Sequence, residues 1–232
     1  MTDIHTHILS NIDDGPKTEE ESLKLLKELE ATGVTRVVST SHFYSASKQI
    51  EDFTQKRDER LAAARQLVKD NNLNLTIFSG AEVNIHKIIL NYESLKPICF
   101  EGTNNILLEI PYELGDFEDN SDLIYKIMSY YNVTPVIAHI DRYDFLFKSE
   151  KNVRYLKEMG CVIQVDADCF DSLFMRARIM KMIKNELIDV VASDCHNLEK
   201  RRPNLHAAYK LIEKKTNADV VARLRQNASS LV

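Results

Sequence analysis

His5 and His7, in "DIHTHI", sit two residues apart. On an extended strand their imidazoles point to the same side and can grip one ion together. Asp194 and His196, in "VASDCH", repeat that spacing, provided the strand stays extended there. Between these pairs, further ligand-type residues close short apolar runs: His42 in "STSH", Glu82 in "SGAEV", Glu109 in "LLEI" and His139 in "VIAHI". Singly, each has a bland explanation. A lone histidine is more often a hydrogen-bonded structural residue. Together they end six of seven strand-like runs. An unpaired buried carboxylate is expensive, so a shared metal site explains the pattern better than packing does. Imidazole and carboxylate without thiolate suit Mn, Fe or Zn, with Mg as a further option, and argue against a structural Cys-zinc site. His86 and His206 lie away from these run ends and read as surface or helix histidines.

The turn "NIDDGP" follows the first run, and one of its aspartates, Asp13 or Asp14, is a candidate ligand. Arg142 follows His139 by three residues, and Arg201 and Arg202 follow His196 in "HNLEKRRP". A guanidinium fork matches phosphate oxygens. Cys195 and Arg201 also show C-x5-R spacing, that of thiol-dependent phosphatases. The intervening "HNLEK" has no glycine and carries Glu199, a poor phosphate cradle, so the spacing reads as coincidence.

Elements must hold these residues on one face. "TDIHTHI", "TRVVST", "LNLTIFSGAEV", "NNILLEI", "TPVIAHI", "CVIQVDA" and "IDVVASD" read as seven strands. Helical stretches alternate with them, as in "KTEEESLKLLKELEATG", where Thr18 and Glu21 form a capping box and Gly33 ends the helix. Near-continuous apolar strands separated by helices predict parallel βα units covered on both faces. The fold class is therefore α/β, a distorted seven-stranded parallel barrel, with the candidate ligands at its C-terminal rim. One domain spans residues 1–232. No G-x-G-x-x-G follows the first strand, which disfavours dinucleotide binding.

The composition is that of an ordinary globular chain: 44% hydrophobic and 28% charged. A net charge of −5 disfavours nucleic acid as a partner. No apolar run approaches the roughly 18 residues of a membrane span, and no signal-peptide pattern opens the chain. Four cysteines without C-x-x-C spacing suit a reducing cytoplasm.

H-x-H, a strand-end His, two strand-end Glu residues, another His and a final D-x-H resemble the PHP (polymerase and histidinol phosphatase) superfamily. "DIHTHILSNIDDGPKTEEES", "GAEV", "LLEI", "PVIAHIDRYD" and "VASDCHNLEKR" resemble, more narrowly, the bacterial PHP-type protein-tyrosine phosphatases of the CpsB/YwqE family, from residue 2 to about residue 230. The resemblance implies a PHP-type barrel and three divalent cations, manganese first. His5, His7, Glu82 and Asp194 would hold one ion. Glu82 would bridge to a second, completed by Glu109 and His139. Asp14, His42 and His196 would hold the third. Arg142 and Arg201 would bind phosphate, with Arg202 an alternative to Arg201. Asp141 stands where relatives often have Glu. The implied activity is metal-dependent hydrolysis of phosphotyrosine, the substrate a tyrosine autokinase controlling capsule or exopolysaccharide export. A histidinol-phosphate phosphatase, another small-molecule PHP phosphoesterase, an amidohydrolase and a non-catalytic metal-binding module are the alternatives.

Overall fold

The computed structural model describes residues 1–111 and 116–232. All five residues of β1 (Thr2–Thr6) are buried, as a strand covered on both faces requires. The chain then enters α1 (Glu19–Ala31). The Thr18 side chain accepts from the Glu21 N–H, and the three glutamates of the first turn suit the positive end of the helix dipole. Leu25, Leu26 and Leu29 face the core. Next come β2 (Arg36–Ser39), β3 (His42–Tyr44), α2 (Ile50–Asp70), β4 (Thr76–Ser79), β5 (Glu82–Asn84) and β6 (Asn105–Glu109). Then follow α3 (Phe117–Tyr131), β7 (Thr134–Ile137), α4 (Asp144–Phe147), α5 (Glu150–Glu158), β8 (Val162–Asp166), α6 (Leu173–Lys184), β9 (Val190–Ala192), α7 (Leu205–Lys215) and α8 (Ala218–Ser230).

Every pairing between these strands is parallel. One sheet runs β1-β2-β4, the other β3-β5-β6-β7-β8-β9. Two strands expected to be continuous are each broken, at Thr40–Ser41 and at Gly80–Ala81. Gly80 shows why the backbones come so close at the break. A Cβ there would lie 2.8 Å from a Val38 methyl and 3.0 Å from the Phe100 ring. After the break, β3 and β5 join the other sheet, with His42 opposite Glu82.

Ile4, Val38, Phe78, Leu107, Val136, Val162, Val190 and Ala192 belong to one apolar cluster, to which both sheets contribute. The exit from β1 is tied to the segment after β9. The Asp194 N–H donates to the His5 carbonyl at 2.9 Å, and the His7 N–H to the Cys195 carbonyl at 2.9 Å. A larger cluster packs α3, α5, α6, α7 and α8 against β5–β9. Among the described residues, no helix is long and apolar enough to cross a membrane.

Candidate metal centre

β1 delivers His5 and His7 to one spot. The ring Nε2 atoms lie 3.3 Å apart, and both rings are fully buried. Glu82 Oε2, from the start of β5, lies 3.3 Å from His5 Nε2 and 3.2 Å from His7 Nε2. Asp194 Oδ1 lies 3.2 Å and 3.4 Å from the same two nitrogens. No hydrogen bond explains this convergence: Glu82 Oε2 and Asp194 Oδ1 are buried without a hydrogen-bond partner. A cation shared by these donors does explain it, since ligand atoms of His5, His7 and Asp194 all lie within 4.8 Å of one another, with Glu82 against both imidazoles. The residues therefore fit a divalent cation.

Two further groups adjoin this one. His42 Nδ1 lies 2.9 Å from Glu82 Oε2, and its Nε2 lies 3.2 Å from Asp14 Oδ1. His196 Nε2 lies 3.1 Å from the same Asp14 oxygen. On the other side of Glu82, His139 Nε2 is 2.7 Å from Oε1 and 3.7 Å from Glu109 Oε1. His42 Nδ1 and His196 Nε2 are also buried without hydrogen-bond partners. Among the described residues, ligand-type atoms gather within 4.8 Å of one another in three sets: His7, Asp14, His42 and His196; His5, His7 and Asp194; His42, Glu82 and Glu109. His42 thus approaches Glu82 and Glu109 as well as Asp14. His86 and His206 stand apart: His86 accepts from the Ile88 N–H at 3.3 Å, and His206 lies on α7.

The charges of the two buried carboxylates agree with a ligand role, while His42 must give up a proton to become a ligand. Burial opposes ionisation of Glu82, but His5, His139 and His42 hold its carboxyl well below the usual range. Burial likewise opposes Asp194, and His5 and His7 hold it low. Burial also disfavours charge on His42, yet Asp14 and Glu82 push it up to about 9.

The two aspartates of the turn divide the work. Asp14 faces the opening, with a half-exposed side chain. Asp13 is buried behind His7, whose Nδ1 lies 2.8 Å from its Oδ2. Asp13 also accepts from the Gly15 N–H at 3.0 Å and the His42 N–H at 3.2 Å. Gly15 is required here, because a Cβ would lie 2.6 Å from the His7 carbonyl oxygen. A carboxylate behind a ligand histidine fixes its tautomer and orientation.

Arg142 pairs with Asp166 and with Asp194 Oδ2. Arg201 donates to the same Asp194 oxygen at 2.5 Å and to Asp14 at 3.3 Å. Arg202 is exposed, with Arg201 turned inward. Asp141 is buried. It accepts from the Asp166 N–H at 3.0 Å, and burial with the nearby Asp166 charge pushes it up to about 7.

Two backbone expectations change. Asp194 is not on an extended strand: β9 ends at Ala192 and Asp194 has φ +52°. The left-handed residue, not strand alternation, aims Asp194 and His196. His139 likewise follows β7 with φ +32°. Such angles are rare outside glycine and gather at functional sites. Cys195 is fully buried among Ile8, Leu9 and Leu25, and burial pushes its thiol well above the usual range. It cannot serve as a ready thiolate.

Gln164 and Asp166, on β8, are buried beside the site and went unread in the sequence. Their signal was present. "IQVD" puts two polar residues at i and i+2 within an apolar run, in the one predicted strand to which no site residue had been assigned.

Known proteins resemble this chain over its whole length. The family model for capsular polysaccharide synthesis, CpsB/CapC, matches residues 1–232. The tyrosine-protein phosphatase CpsB of Streptococcus pneumoniae is 36% identical over 227 residues, covering 94% of this chain and 92% of that protein. The tyrosine-protein phosphatase YwqE of Bacillus subtilis is 23% identical over 236 residues, covering 100% and 91%. A solved structure from work on YwqE of Bacillus subtilis and CpsB of Streptococcus pneumoniae, described as metal-dependent tyrosine phosphatases, superposes with a TM-score of 0.84 at 22% identity. It covers all of this chain and 94% of that one.

Proposed function

This chain belongs to the CpsB/CapC family of capsular polysaccharide synthesis, and we propose that it is a metal-dependent protein-tyrosine phosphatase. The observation that carries the reading is the convergence on His5 and His7, whose Nε2 atoms lie 3.3 Å apart and each 3.2–3.4 Å from a Glu82 and an Asp194 oxygen, both oxygens lacking hydrogen bonds. We assign three divalent cations, manganese first. His5, His7, Glu82 and Asp194 hold one. Glu82, Glu109 and His139 hold the second. Asp14, His42 and His196 hold the third. Bound there, such ions supply a hydroxide at neutral pH and neutralise phosphoryl oxygens.

The chain's own residues do the rest. Arg142 and Arg201 bring two guanidinium groups to the rim, both resting on Asp194 Oδ2. Each keeps N–H donors for the equatorial oxygens of a phosphoryl group, where charge must be held in the transition state. Asp13 keeps the His7 ring in place from behind. Tyrosine leaves as a phenolate of pKa about 10, a far better leaving group than an alkoxide, so water at an open rim can protonate it.

The two sheets read as one distorted seven-stranded barrel of the PHP type, closed where the end of β1 bonds to the segment after β9. It forms one domain over residues 1–232. The substrate we assign is a phosphotyrosine-bearing tyrosine autokinase tail in capsule or exopolysaccharide synthesis, met in the cytoplasm.

The test is turnover of a phosphotyrosine peptide beside histidinol phosphate, with metal content measured before and after chelation. Phosphotyrosine hydrolysis that falls with the metal supports the assignment. Full activity in stripped protein, or turnover of histidinol phosphate alone, overturns it.

A further inference from the structure

Gln164 and Asp166 are polar residues at the end of a strand whose neighbours, Ile163 and Val165, are core. Gln164 is fully buried and Asp166 nearly so. Being i and i+2 on β8, they share the face of Val162, which packs against the cluster of Ile4, Leu107 and Val136. Buried polar groups there need partners, and theirs all belong to the site.

The Gln164 amide is oriented without ambiguity. Its Oε1 accepts the backbone N–H of His139 at 2.7 Å, so the oxygen must face that way. Its Nε2 then donates to Asp166 Oδ1 at 2.9 Å. The same Oε1 lies 3.4 Å from His5 Nδ1. An oxygen there can only accept, so His5 carries its proton on Nδ1 and leaves Nε2 as a free lone pair toward Glu82 and Asp194. The His139 N–H bond anchors a residue held at φ +32°. Asp166 Oδ2 pairs with Arg142 Nη2, the group that also reaches Asp194.

We propose that Gln164 and Asp166 are a positioning pair that mechanically joins the cation ligands His5 and His139 to the phosphate-binding Arg142. Gln164 sets the His5 tautomer and the His139 backbone. Asp166 fixes the guanidinium, so that metals and arginine approach one phosphoryl group from fixed directions. The role of Arg142 rests on the phosphatase reading. The contacts do not, so the tests use binding of inorganic phosphate and of Mn as well as turnover.

Asp166→Asn keeps the shape and removes the charge. Loss of one charge-assisted bond is expected to weaken inorganic phosphate binding, measured calorimetrically on Mn-loaded protein, by roughly tenfold. KM for a phosphotyrosine peptide rises by a similar factor, with Mn content and melting temperature retained. In an Arg142→Ala background the same substitution adds little, because the two act as one unit. Asp166→Glu keeps the charge and recovers part of the loss. Gln164→Met is expected to weaken Mn binding by about 10–100-fold, the usual effect of losing a partner behind a ligand. Equal losses from Asp166→Asn with and without Arg142 would refute the pairing, as would Asp166→Glu as weak as Asp166→Asn. Unchanged Mn affinity in Gln164→Met would refute the link to His5 and His139. A wild type that binds phosphate but spares phosphotyrosine would overturn the proposed function and leave this pair standing.

Discussion

Asp194→Asn strikes the point where the two halves of the site meet. Oδ1 sits within 3.4 Å of both His5 and His7 Nε2, and Oδ2 receives Arg142 and Arg201. The substitution removes the negative charge and turns one oxygen into an N–H donor. If the amide nitrogen replaces Oδ2, it faces two guanidinium groups. If it replaces Oδ1, it faces two imidazole lone pairs and a cation. Both orientations lose. A hydrogen bond to a charged group contributes about 1.5–3 kcal/mol, so the loss of two amounts to about 3–6 kcal/mol. At about 1.4 kcal/mol per decade that is a fall in kcat/KM of roughly 10²–10⁴. The assay is steady-state hydrolysis of a phosphotyrosine peptide by Mn-loaded enzyme, with Mn content determined on the same samples. The variant should fold, because the tie between β1 and the segment after β9 uses the Asp194 and His7 backbone N–H groups, not the side chain. A variant within fivefold of wild type at full Mn content would refute the idea that Asp194 joins ligand and arginine.

Cys195→Ala should keep activity within about threefold and lose some stability, because a small buried hydrophobe is trimmed from an apolar cluster; complete loss of turnover with metals still bound would revive thiol chemistry. Arg201→Ala should cost about 10–100-fold in kcat/KM through its lost contacts at the rim and Arg202→Ala less than twofold; the reverse order in the same assay would show that the exposed residue is the phosphate ligand. Metal affinity should rise with pH. In metal-free protein the His42 pKa is raised to about 9, so its stabilising charge is fully present below about pH 6.5 and fades as pH rises through about 9. A cation needs the neutral ring, so binding releases protons and tightens across that window. A Mn titration that is flat from pH 6.5 to 9 would refute this.

The strands and helices were legible because burial on both faces leaves continuous apolar runs, and the helix after β1 announces itself with Thr18 and a leucine stripe. Eight of the nine candidate ligands stood out because ionisable residues at apolar run ends are conspicuous; the ninth, Asp14, lies in a turn and carried no such signal. Gln164 and Asp166 escaped because the same signal in "IQVD" had no partner of known role nearby in sequence. Their partners lie at His5, His139 and Arg142, up to 159 residues away. The break at Gly80 escaped because it depends on Val38 and Phe100 pressing on that backbone.

Sequence by itself determined which residue types are available and which end of each strand carries them, since side-chain alternation and apolar patterning are local. Its residue patterning left Asp13 and Asp14 interchangeable, and likewise Arg201 and Arg202; only the family resemblance favoured Asp14 and Arg201. The tertiary structure separates both pairs physically: Gly15 pressed against the His7 carbonyl sends Asp13 inward and Asp14 outward, and Arg201 reaches Asp194 while Arg202 stays exposed. It also decides how Asp194 and His196 are aimed. A left-handed residue after β9 does this, and no strand periodicity encodes it.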